Sequence, residues 1–210
     1  GALAMADTGV PFEGEVIHDL PDELAMVIGR VMVSYARLEH QLTALTGLLL
    51  QLNKAEARIV LRTPRATDRL DMALDLFAIK SIEVRLDAQE LRETLASATS
   101  RRDVLAHWIW LRRPQTNELY LRLTRGTWPK AMTRGQPISR AVFPQSIPYS
   151  VADCRETLAL IDQAMAGVNQ LGQELDDALR AFPERFRPPS PVLNPLGSRS
   201  PKGKPRPPQP

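Results

Sequence analysis

From Leu24 the chain places an apolar residue at every third or fourth position, through Ile28, Val31, Tyr35, Leu38, Leu42, Leu45, Leu49 and Leu52. That is the stripe of a long helix burying one face. Pro21-Asp22-Glu23 opens it, with two acids where the helix dipole is positive. Asn53 then stands where it can cap a short helix through residue 62, and Pro64 interrupts the chain. A helix over about 67–80 follows, its apolar side made by Leu70, Leu74, Phe77 and Ile79. Asp87, with Glu90 three residues on, marks the start of another long helix. Leu91, Leu95, Ala98, Leu105 and Trp108 or Ile109 face its core, and Pro114 ends it at the latest. Ser150 with Asp153 opens a last long helix to about residue 181, striped by Leu158, Ile161, Met165, Val168, Leu171, Leu175 and Leu179.

Between these helices the period changes. In residues 118–125, ELYLRLTR, Leu119, Leu121 and Leu123 alternate with Tyr120, Arg122 and Thr124, a half-buried strand, and the preceding PQTN has turn chemistry. A hairpin follows from this, with residues 108–113 as its first arm. Residues 125–149 hold two glycines and four prolines and read as loop. The chain is therefore expected to be all-α: an up-and-down helical bundle over residues 21–182 with a small β-hairpin and loop insertion at 110–149. Residues 1–20 read as an N-terminal arm, with 1–4 ahead of Met5 resembling an expression remnant. The basic stretch 183–210, with nine prolines from Pro188 onward and few apolar side chains, reads as a disordered tail.

Charge changes the picture more than composition does. The formal net charge is +3, but residues 188–210 contribute +4 and residues 101–140 contribute +7, leaving −8 on the remainder. Positive charge gathers around one stretch of an otherwise acidic body, the pattern of a phosphate-binding site. The single Cys154 excludes a disulfide within the chain and fits a reducing compartment. No stretch has the ~20 uninterrupted apolar residues that cross a bilayer and no signal-peptide pattern opens the chain, so a cytoplasmic protein without membrane partners is expected. No glycine-rich phosphate loop, serine elbow or dinucleotide fingerprint occurs, and His18 and His40 have no second ligand at metal spacing, so neither a cofactor nor a metal is expected.

The candidate chemistry lies in residues 101–108, RRDVLAHW. An arginine five residues before a histidine is expected about 0.3 times by chance from this composition, so context has to carry the argument. On a helix Asp103 and His107 are four apart, and the carboxylate can fix the imidazole tautomer. Arg102 lies about 140° around the axis from His107, so its arm must curl for the two to share a site. Imidazole with guanidinium is the pairing that metal-free RNA cleavage needs: one takes the 2′-hydroxyl proton, the other neutralises the phosphorane oxygens.

The long first helix with YARLEHQL (residues 35–42), the later helix ending in RRDVLAHW, the small hairpin and the closing helix resemble the HEPN superfamily. Its motif is Arg, a polar residue, three variable residues and His, and Arg102, Asp103 and His107 match it position by position. The resemblance implies a homodimer in which two motif helices form one cleft. It further implies a metal-independent endoribonuclease leaving 2′,3′-cyclic phosphate and 5′-hydroxyl ends, as the toxin or effector of a defence or toxin–antitoxin system with an antitoxin or other protein partner. Arg102 would stabilise the transition state, His107 act as base or acid, and Asp103 orient it. Arg101, Arg112 and Arg113 are candidate RNA contacts, and Glu39 a candidate orienting group from the first helix. Trp108 and Trp110 suit core packing better than base stacking. Two other readings stay open: a catalytically silent HEPN-like dimeric scaffold, and a regulator that binds RNA without cutting it.

Overall fold

The computed structural model describes residues 14–62, 64–122 and 146–186. The chain order is β1 (Glu15–Val16), α1 (Asp22–Leu49), α2 (Lys54–Val60), α3 (Ala66–Ile79), α4 (Ala88–His107), β2 (Ile109–Arg112), β3 (Leu119–Arg122), β4 (Ile147–Pro148), α5 (Val151–Ala181) and a 3-10 turn over Pro183–Phe186. The helical class expected from the apolar stripes is what the chain adopts.

The helix starts are set by local chemistry. Asn53 Oδ1 accepts from the backbone of Ala55 and Glu56 while Glu56 returns a bond to the Asn53 N–H, a complete capping box; Ser150 and Asp153 make the same exchange at α5. Asp87 caps α4 through Gln89 and Glu90 N–H. Each satisfies donors that a bare helix end leaves open. Two ends share another device. Gln51 and Ser81 take positive φ (58° and 54°), and the next residue donates back five positions, Leu52 to Gly47 and Ile82 to Phe77. This closes α1 and α3 without glycine.

The seam of α1 is buried at Leu24, Val31, Tyr35, Leu38, Leu42, Leu45 and Leu49, while Val27 takes the inward place and Ile28 rests half-buried. Leu52 is half-buried beyond the helix end, and Ile79, expected on the apolar stripe of α3, is 76 % exposed at its last residue. α1 and α5 run parallel: Glu23 meets Arg155 near their starts, and Gln51 Nε2 donates to Phe186 O beyond their ends. α4 runs against α5, since Arg101 reaches Glu156 while Gln163 reaches Glu90. The connectivity therefore departs from strict up-and-down order, in which the first and last of four long helices would oppose each other. The segment over residues 80–87 makes the difference. It crosses the bundle extended, with Ile82 buried, Val84 and Leu86 packed on the core, and Arg85 N–H held by Glu174 Oε1.

The hairpin expected over residues 108–113 and 118–125 forms as β2 and β3. α4 stops at His107, and Trp108 turns extended (φ −96°, ψ 154°), because Ile109–Arg112 gains more by pairing with β3 than by continuing a helix. The hairpin turn places Asn117 at φ 57°, closed by Arg113 N–H to Glu118 O. Two further strands flank it in the order β1-β2-β3-β4, all antiparallel. Glu15–Val16, expected within an arm, is thus an edge strand, and Ile147–Pro148, expected within a loop, is the opposite edge. Leu111 and Leu121 are buried, and Trp110 meets Tyr149 edge to face at 6.0 Å, which roots the sheet on the helices. Pro183–Phe186, expected to open the tail, is an ordered turn with Lys80 Nζ 5.2 Å from the Phe186 ring centre. The rest of the expected tail, 187–210, and residues 123–145, which hold the end of the expected strand and most of the expected loop, lie outside the described residues.

Candidate functional site

The last two turns of α4 carry the motif, and they lie against α1. Tyr35 is 2 % exposed, four residues before Glu39 on the same flank of α1. Its hydroxyl bonds Thr99 Oγ1 at 2.8 Å, which fixes the ring beneath the next turn of α4. Arg102 comes three residues after Thr99, so its guanidinium lies over that ring, 4.3 Å from the centre. From there it makes ion pairs with Asp103 Oδ1 at 2.8 Å and Glu39 Oε2 at 3.7 Å. The Arg102 side chain keeps 24 % exposure, so the guanidinium is supported rather than sealed.

Glu39 has a second cation. Arg69, on α3, reaches Glu39 Oε1 at 3.8 Å through Nη1 and donates to Leu61 O at 3.3 Å through Nε. Its side chain is 11 % exposed, and Glu39 is its only ionic partner among the described residues. One carboxylate on α1 thus stands between a buried arginine of α3 and a half-buried arginine of α4. Burial holds the Tyr35 phenol above its ordinary value, with the Thr99 bond opposing, so the ring stays neutral beneath the cation.

His107 is the final residue of α4 and is exposed. It does not lie beneath the tryptophans: Trp110 is buried on the sheet and Trp108 is half-buried against the core. Asp103, the candidate for orienting His107, directs Oδ1 to Arg102. Five residues of helix turn the two motif side chains about 140° apart, and within one chain Arg102 spends its reach toward α1.

The three candidate RNA contacts diverge. Arg101 bonds Glu156 of α5 at 2.9 Å. Arg112 is half-buried on β2, paired across the strands with Glu15 and Leu119. Arg113 folds over the Tyr120 ring at 4.9 Å and reaches Glu118 at 3.4 Å. Hydroxyl donors from Thr116 and Tyr120 hold the Glu118 carboxyl below its ordinary range. Pairs this exposed are screened by solvent and hold their side chains only weakly.

Sequence reasoning passed over Tyr35, Thr99 and Arg69 as site residues. Arg69 carried a readable signal, a cation one place from Leu70 in a stripe of Ala66, Ala73 and Phe77. Cys154 is fully buried and its thiol is pushed up from 9.0 to about 11 by burial, then by Asp153, so it is not a nucleophile near neutral pH. Among the described residues, no three His, Cys, Asp or Glu side chains group as metal ligands, and no helix is long and apolar enough to cross a membrane. No family of known proteins, no curated protein and no solved structure matches this chain.

Proposed function

We propose that this chain is a metal-independent endoribonuclease of HEPN type, acting as a homodimer. The observation that carries the reading is the end of α4: an exposed imidazole at His107, one turn and a half beyond a guanidinium that Tyr35 and Glu39 hold in place with part of its surface open. His107 takes the 2′-hydroxyl proton, the freed oxygen attacks phosphorus, and the 5′-oxygen leaves with a proton from an acid. The products are a 2′,3′-cyclic phosphate and a 5′-hydroxyl. Arg102 neutralises the charge that grows on the non-bridging oxygens. The angular separation within one chain favours completion in trans, the Arg102 of one protomer meeting the His107 of the other. A toxin or defence role, with a neutralising partner, follows from the same resemblance.

One observation favours a second reading, a silent HEPN-like scaffold: Glu39, Asp103 and Tyr35 already occupy the Arg102 guanidinium. The two readings separate in one experiment. The intact protein is incubated with mixed RNA in excess chelator and the product ends are analysed. Cyclic-phosphate ends that His107→Ala lowers by about 10²–10⁴ support the enzyme; intact RNA, or cleavage unchanged in His107→Ala, supports the scaffold.

A further inference from the structure

We infer that α2 is a docking platform for an acidic amphipathic segment of another protein. This inference is independent of the proposed ribonuclease. α2 is anchored on its inner side: Ala57 is buried so close to α1 that a Cβ placed on Gly47 would lie 3.1 Å from its own, Leu61 is 1 % exposed, and Arg69 Nε holds the Leu61 carbonyl. Its outer side is uncovered among the described residues. Ile59 is 76 % exposed and Val60 51 %, and Leu48, beside Gly47 on α1, is 58 % exposed. On α2 and in the link to α3 stand Lys54, Arg58, Arg62 and Arg65, all exposed and none in an ion pair among the described residues.

Arg85, Arg92, Arg101, Arg113 and Arg155 each have an acid within reach, which these four do not. Arg58 lies in the last turn of α2 beside Ile59 and Arg62 just beyond the C-cap Leu61, so cations lie on both sides of the apolar pair in the chain, where acids flanking an apolar residue would match them. The chain itself does not supply that complement. Residues 123–145 and 187–210 contain no Asp or Glu, and residues 1–13 hold only Asp7 and Glu13, six apart. A polynucleotide would gain nothing from an isoleucine at the centre. Seven helical residues give a lipid surface little to bury.

The test uses the full chain and a fluorescent 14-residue peptide with Glu at i and i+4 around leucines. Anisotropy is compared with a scrambled peptide of the same composition, a uridine 16-mer, and vesicles of neutral and anionic phospholipid. The ordered peptide should bind, with at least about tenfold loss in R58E/R62E, about threefold loss in Ile59→Ser, and recovery in R58E/R62E when lysine replaces glutamate in the peptide. Equal binding of the scrambled peptide, tighter binding of the uridine oligomer or the anionic vesicles, or no loss in R58E/R62E would overturn the inference.

Discussion

Replacing Glu39 by glutamine removes one negative charge from between two guanidinium groups and leaves the side chain's shape. At 3.8 Å the Arg69 pair interacts by about 4 kcal/mol for an effective dielectric near 20. Desolvation of Arg69 offsets part of that, and the Arg102 pair, more open to solvent, adds at most about 1 kcal/mol. Glutamine still offers an acceptor oxygen, so the net loss should be roughly 1.5–3 kcal/mol, dominated by a buried Arg69 without counter-charge. Urea unfolding followed by circular dichroism reads this as a lower midpoint at unchanged slope. In a double-mutant cycle with Arg69→Met, the glutamine should cost little once the arginine is gone, a coupling of about 1 kcal/mol or more. A loss below about 0.5 kcal/mol, or strict additivity with Arg69→Met, would refute the claim that Glu39 joins α3 to the motif helix.

Gly29 has nothing within 4 Å of where a Cβ would lie, so Gly29→Ala should raise stability by about 0.5–1 kcal/mol in the same assay. Gly47 is the opposite case: Gly47→Val would press on Ala57 and should lose about 1–3 kcal/mol, with earlier proteolysis at α2. The pH dependence follows from Cys154. An acid raised in the folded state keeps a proton that the unfolded chain releases, so its contribution is intact below about pH 9 and is lost as pH rises to 11. That amounts to roughly 2–3 kcal/mol. Tyr35 and Tyr149, both raised by burial, add loss of the same sign at higher pH. Stability curves between pH 8 and 11 should fall, and fall less steeply in Cys154→Ala.

The helices were legible because their cause is local. Apolar residues at spacings of three and four, and caps at Asn53, Asp87 and Ser150, act within one turn and need no knowledge of the rest of the chain. The flanking strands were not, because Glu15–Val16 and Ile147–Pro148 are two-residue strands whose only reason to be extended is the hairpin they border, more than 90 residues away in one case. The crossing at residues 80–87 has the same origin: Ile82, Val84 and Leu86 alternate as a strand would, yet they pack on helices rather than pair. At the site, the motif positions and Glu39 could be read, but Tyr35 and Arg69 could not. That Arg102 lies over Tyr35, and that Glu39 also serves Arg69, depends on how three helices cross.

The trans arrangement of Arg102 and His107 is the claim on which the functional account turns, and mixing two inactive variants tests it directly. Arg102→Ala and His107→Ala proteins are assayed for RNA cleavage alone, then after mixing one to one and allowing subunits to exchange. The parent dimer brings together two Arg102–His107 pairs and a heterodimer regains one of them, so the account predicts negligible cleavage by each variant and recovery to about a quarter of the parent rate in the mixture. Full cleavage by either variant alone, or a mixture no more active than its components, would contradict it.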